Sequence, residues 1–238
     1  MQLRLRLIII PILICFIVYL IINKLTYFAD IKSIDNYIQK YENATISKLD
    51  KTTLVFKGNY IKAALVFYPG GNVEYLAYKP LLVALASKGI MCILFKMTLN
   101  IAFFNINAAK GIKEKFPEIK NWYIGGHSLG GLCASFYLHN NINEFKGLIL
   151  FSSYTIKDFS GSNLKVISIL GNEDKVINME RYNNSKKNLP KNFNEIIIDG
   201  GCHSYFGMYG LMKNDGIPKI NNIEQIEYTA NELNKLIS

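Results

Sequence analysis

The sequence predicts an α/β domain built on a mainly parallel sheet with helices on both faces. Three observations predict it. From residue 63 onward, short apolar runs of strand length alternate with helical stretches. Glycines and prolines fall at the joints, as with Gly89 and Pro117. The composition, 50% hydrophobic and 19% charged over 238 residues, suits one well-buried domain with a short appendage and rules out a disordered chain.

Taken in order, Ile31, Ile34, Ile38 and Tyr41 recur at helical spacing and predict a short amphipathic helix. Residues 44–49 and 52–56 read as strands, followed by a Lys-Gly-Asn turn. The run AALVFY at 63–68 is a buried strand, and 76–87 is a helix ended by Gly89. A strand at 91–96 leads to a helix around 107–115, which Pro117 closes. Strand 122–125 and helix 129–139 come next, then strands 147–151 and 166–170. Helix 176–188, a last strand at 195–198 and helix 223–237 complete the chain. Such alternation is the pattern of a parallel sheet covered on both sides.

Ahead of the domain, residues 7–22 (LIIIPILICFIVYLII) carry no charge, with Arg4 and Arg6 before them and Lys24 after. With Leu5 and Leu25 at its edges, the run is just long enough for a bilayer core, which needs about 20 apolar residues. Pro11 is tolerable near the end of such a helix. No small-residue cleavage site follows Ile22, and Ile14 stands where a lipoprotein signal would need a small residue before Cys15. The expectation is an uncleaved transmembrane anchor over 1–24, a connecting segment over 25–50 and the main domain over 51–238. The two leading arginines place the N-terminus in the cytoplasm and the domain outside, a single-pass protein of the cell membrane.

The net charge is +9, but the lysines are scattered and form no stripe. No arginine cluster, zinc-finger spacing or aromatic RNA-binding signature is present, so nucleic acid is not an expected partner. Cys15, Cys92, Cys133 and Cys202 are too dispersed for a disulfide framework or a metal site and read as buried small residues.

In a parallel sheet, ligands sit beyond the carboxyl ends of the strands. There, Gly126-His127-Ser128-Leu129-Gly130-Gly131 follows a strand and opens a helix, the context of a nucleophile elbow. Ser128 is the candidate nucleophile, since a strained turn pushes its oxygen out and only small flanking residues fit. A serine hydroxyl needs a base, and the base needs an orienting carboxylate. Of three histidines, His127 adjoins the serine with its side chain expected to point away, and His139 ends a helix among asparagines. His203, after the last strand in DGGCH, is the candidate base. Asp174, at the loop tip after strand 166–170, is the candidate acid, with Glu173 as rival and a helix N-cap as its plain structural role. The order Ser128, Asp174, His203 suits a sheet of this kind. For a developing oxyanion the backbone N–H of Leu129 is one candidate donor. Gly71, in PGGN after an earlier strand, is the other, with Gly70 and Asn72 as alternatives.

These residues together resemble the lidless α/β hydrolases related to dienelactone hydrolases. FYPGGNVEYLAY, KMTLN, GGHSLGG, GNEDKVI, GGCHSYFGMYG and the closing NDGIPKINNIEQIEYTANEL fall in that family's order, from about residue 50 to the C-terminus. Dienelactone hydrolases proper carry a cysteine nucleophile; Ser128 here favours ordinary ester chemistry. The resemblance implies acyl transfer from a small ester or acyl substrate without cofactor or metal. An acyltransferase, a peptidase or a non-catalytic binding module are the alternatives. Only residues 152–163 separate strand 147–151 from the next, too few for a cap domain.

Overall fold

The computed structural model describes residues 24–237, together with residues 10 and 20. The expected membrane anchor otherwise lies outside the described residues; among these, no helix is long and apolar enough to cross a membrane.

Eight strands form one sheet: β1 (Ala44–Lys48), β2 (Thr53–Gly58), β3 (Ala63–Tyr68), β4 (Ile90–Phe95), β5 (Trp122–His127), β6 (Gly147–Phe151), β7 (Lys165–Gly171) and β8 (Asn194–Ile198). Their order is β1-β2-β4-β3-β5-β6-β7-β8. β2 runs antiparallel to both neighbours, and β4, β3, β5, β6, β7 and β8 are mutually parallel. The central strands β3, β4, β5 and β6 are buried at every position, which is why they read as unbroken apolar runs. The edge strands β1 and β8 alternate instead.

Helices α1 (Ile31–Ile38), α2 (Lys79–Ser87), α3 (Leu129–Asn140), α4 (Met179–Ser185) and α5 (Asn222–Leu236) cover the sheet. Strand periodicity divides the core. Ala63, Leu65 and Phe67 of β3 pack in one cluster with Leu81 of α2 and Ile226 of α5, whereas Ala64, Val66 and Tyr68 pack in another with Ala134 and Leu138 of α3. Residues 25–50, read from sequence as a connecting segment, supply α1 and the edge strand β1, and Ile34 and Tyr37 enter the first cluster.

Three helices differ from expectation, two of them through side-chain hydrogen bonds to their backbone. In place of a helix over 107–115 there are 3-10 segments at Ala102–Ala109 and Lys113–Lys115. The Tyr68 hydroxyl donates to the Ile106 carbonyl (2.6 Å) and accepts from the Ala109 N–H (3.1 Å), drawing this backbone onto the end of β3. Gly111 then turns the chain at φ 74°. The helix expected at 176–188 starts only at Met179, because Asp174 holds the N–H groups of Val176 and Ile177 and Asn178 supplies the cap. The helix expected from 76 opens as a 3-10 turn, Tyr75–Tyr78, before α2, with a proline in its first turn.

Candidate active site

β5 delivers Ser128 at the carboxyl end of the sheet, and α3 begins at the next residue. Ser128 adopts φ 51° and ψ −124°, a conformation that an L-residue occupies only under local strain. The turn is held from both sides. Ser128 N–H donates to the Phe151 carbonyl (2.9 Å), and the Ser153 hydroxyl donates to the Ser128 carbonyl (2.7 Å). The neighbouring glycines are required by contact: a Cβ on Gly130 would lie 2.1 Å from the Tyr68 carbonyl oxygen, and one on Gly126 2.4 Å from the same atom. The end of β3 thus presses directly on the turn.

His203 is 1% exposed, and its Nδ1 lies 2.8 Å from Oδ2 of Asp174. An ionised carboxylate only accepts, so Nδ1 carries the proton and the neutral ring keeps its lone pair on Nε2. That Nε2 is buried with no hydrogen-bond partner among the described residues. His203 and Ser128 line the same cavity of about 250 Å³, with Leu129, Ser152, Val176 and Ile177. The other oxygen of Asp174 accepts from Val176 and Ile177 N–H, both at 2.9 Å. The carboxylate therefore serves as a turn cap with one oxygen and meets His203 with the other. Burial raises its pKa, but the bond to His203, attraction to that ring in its protonated form and the Ile177 N–H outweigh burial, and the net shift is downward. Glu173, the rival, pairs with Lys219 instead.

The three candidate donors after β3 are separated by their partners. Gly70 N–H donates to the Tyr78 hydroxyl (3.0 Å), and Asn72 N–H donates to the Asn100 carbonyl (2.9 Å). Gly71 N–H has no hydrogen bond among the described residues, and neither has Leu129 N–H. A Cβ on Gly71 would stand 3.1 Å from Cδ2 of Leu129, so the two residues with free N–H groups are neighbours.

His127 has partners that the sequence did not reveal. Its side chain does point away from the cavity, but it is fully buried and bonded at both nitrogens. Nε2 lies 3.0 Å from the His203 carbonyl, which can only accept, so Nε2 bears the proton. Nδ1 must then accept, at 2.8 Å, from the Tyr78 hydroxyl, which itself accepts from Gly70 N–H. Directions are thus set along a chain from the PGGN loop, through Tyr78 and His127, to the backbone of His203. A Cβ on Gly70 would lie 2.7 Å from both His127 Nδ1 and the Tyr78 hydroxyl, so this glycine leaves room for the chain. Burial, then the neighbouring His203, holds His127 well below the usual histidine pKa and keeps it neutral. His139, by contrast, is exposed as expected.

Further residues that sequence reasoning missed shape the His203 loop. Asp215 accepts from Ser204 N–H (2.8 Å), Ser204 hydroxyl (2.6 Å) and His203 N–H (3.3 Å). Gln225 of α5, fully buried, both accepts from Cys202 N–H (2.9 Å) and donates to its carbonyl (2.8 Å). A glutamine among Ile226, Ala230 and Leu233 was the available signal. Burial pushes the Cys202 thiol up to about 12, leaving it protonated and a poor nucleophile.

A parallel sheet entered through an antiparallel β1–β2 pair, with a strained serine after β5 and a histidine after β8, defines the class of the α/β hydrolases. The chain belongs to the alpha/beta hydrolase family, whose model matches residues 64–227. A solved structure, the predicted CIB-like hydrolase from Thermoplasma acidophilum, is similar in fold: 15% identity, TM-score 0.56, covering 81% of this chain and 98% of that one. No curated protein sequence matches significantly.

Proposed function

We propose that this hydrolase is a serine esterase, cleaving a small acyl ester through Ser128, His203 and Asp174. The observation that carries the reading is the free, buried Nε2 of His203, whose Nδ1–H is committed to Asp174 at 2.8 Å, in the cavity that Ser128 lines. His203 Nε2 takes the Ser128 proton as Oγ attacks the acyl carbon, and Asp174 stabilises the imidazolium. The N–H groups of Leu129 and Gly71 hold the oxyanion, and their lack of other partners supports that role. The imidazolium then protonates the departing alcohol. Water, deprotonated by the same nitrogen, releases the acid from the acyl-enzyme. The short connection between β6 and β7 leaves the cavity without a cap, so short acyl groups should be preferred among esters dissolved in water.

Residues 7–22 act in this reading as a membrane tether with the domain on the extracytoplasmic side; the support is their unbroken apolar character and the arginines before them.

The decisive experiment is labelling by a fluorophosphonate probe together with hydrolysis of a p-nitrophenyl ester series. Ser128→Ala should abolish labelling and lower turnover by about 10³-fold or more with the fold intact. Unchanged labelling or turnover in that variant would refute the assignment. For the tether, protease added to intact cells should remove the domain, and N-terminal sequencing should recover Met1 or Gln2.

A further inference from the structure

We propose that the face of the domain carrying Ser128 lies against the lipid bilayer and draws its acyl substrate from that surface. The proposal rests on the tether and esterase readings above and adds an orientation and a substrate class: an ester carried by a bilayer amphiphile.

The first observation is where the N-terminal run joins the domain. Only residues 23–26 separate the apolar run from Tyr27. Five Cα steps cover at most about 18 Å when fully extended, and less here, because Lys24 and Leu25 are helical. Tyr27 is stitched to the candidate oxyanion loop. Its N–H donates to the Asn72 carbonyl (2.7 Å), its carbonyl accepts from Glu74 N–H (3.0 Å), and it bridges Val73 in parallel register. Gly71 is therefore one residue from the attachment point. A headgroup layer is about 5–8 Å deep on each side of the hydrocarbon core. The tether is too short to let this loop stand far from the membrane.

The second observation is what surrounds that junction. Asn100 donates from its side-chain nitrogen to the Thr26 hydroxyl (3.5 Å), and its carbonyl accepts from Asn72 N–H. This bonded set brings together Leu25, Phe28 and Leu99, with Phe103 and Phe104 a few residues on. All five side chains are between 45% and 59% exposed. Leu99 is held at φ 54°, a strained backbone for a leucine that presents an apolar side chain outward. Exposed aromatic and aliphatic groups beside a membrane segment have the composition of an interfacial contact. Lys24 and Lys213 are exposed around the same junction and form no ion pair among the described residues, as an anionic headgroup layer would favour. Lys213 N–H donates to the Tyr27 hydroxyl, which fixes its place there.

The arrangement accounts for an uncapped cavity in a tethered enzyme. The bilayer closes the mouth that the chain itself leaves open, and the part of the substrate outside the cavity stays in lipid.

The test uses the full chain reconstituted in vesicles of phosphatidylcholine and phosphatidylglycerol, with or without bromine on the acyl chains. Phe104→Trp reports the proposed contact. Tyr60→Trp, in the exposed turn before β3, reports the opposite end of the strands. Trp122, the single native tryptophan, is buried and gives a constant background. Interfacial side chains reach about 5–10 Å into the boundary, so brominated lipid should remove about half or more of the Phe104→Trp emission and leave Tyr60→Trp unchanged. Flotation with the vesicles and equal quenching at both positions would overturn the orientation and leave the tether standing. Failure to float would overturn both. Fluorophosphonate labelling of the same samples separately reports the esterase reading. In a second arm, Phe103→Ser with Phe104→Ser should leave hydrolysis of a water-dissolved short ester unchanged, which also certifies folding. Hydrolysis of the same ester group on a vesicle lipid should fall about tenfold or more, because two aromatic side chains no longer enter the lipid boundary; equal rates on both substrates would refute the proposal.

Discussion

Replacing His127 by glutamine should change how stability depends on pH while leaving the protein folded. Histidine 127 is fully buried, donates to the His203 carbonyl and accepts from Tyr78, so protonation of Nδ1 would cost the Tyr78 bond and place a cation in an apolar site. Its pKa in the fold is accordingly well below the ordinary 6.5. In the unfolded chain it binds a proton below about pH 6.5, and in the folded chain it does not. The unfolded state then holds more protons, so stability must fall as pH drops from about 6.5 toward the depressed pKa, with a limiting slope of about 1.4 kcal/mol per pH unit. For a ring that stays neutral in the fold to about two units below the unfolded value, the accumulated loss is about 2–3 kcal/mol. A glutamine can supply the same donor and acceptor without a titrating group. Urea unfolding of both chains in detergent micelles, from about pH 8 down to about pH 4.5, isolates the residue as the difference between the two curves. The variant should match wild type within about 1 kcal/mol at the alkaline end and overtake it by about 2 kcal/mol at the acid end. Parallel curves would mean that His127 titrates normally in the fold, and the directed chain through Tyr78 would be wrong.

Tyr78→Phe should destabilise the domain by about 2–4 kcal/mol, since it strips partners from two buried groups, Gly70 N–H and His127 Nδ1, without changing volume; denaturant melts read the loss, and a change below about 0.5 kcal/mol would refute it. Gly130→Ala places a methyl 2.1 Å from the Tyr68 carbonyl oxygen, so expression of folded protein should drop sharply, with a circular-dichroism melt as the check. Asp174→Asn should lower kcat by about 10³–10⁴-fold, because an amide can no longer fix the Nδ1–H tautomer of His203; near-wild-type turnover would transfer the acid role elsewhere. Among p-nitrophenyl esters in water, kcat/KM should peak at short acyl groups, as a cavity of about 250 Å³ allows, and a steady rise to palmitoyl would contradict it.

The sequence by itself determined the parallel sheet, because β3 to β6 are buried on both faces and only unbroken apolar runs can fill such places. It also located the turn that carries Ser128, through its small flanking residues; that a Cβ at 126 or 130 would meet the Tyr68 carbonyl oxygen of β3 is what the fold adds. His203 and Asp174 could be picked out because few residues of the needed type stand at the carboxyl ends of strands. What it could not decide was anything set by partners distant in the chain. Gly70, Gly71 and Asn72 are equal as text; only the hydroxyl of Tyr78 and the carbonyl of Asn100 show which N–H is free. For His127 the sequence showed only a side chain turned away from Ser128, because its partners, Tyr78 and the His203 carbonyl, lie 49 and 76 residues away. The helix expected at 107–115 failed for the same reason: Tyr68, about 40 residues away, takes backbone groups that local propensity would assign to a helix, and such a bond outweighs a few tenths of a kcal/mol of propensity. The helix expected at 176–188 starts late for a local reason, since Asp174 already holds the N–H groups of Val176 and Ile177.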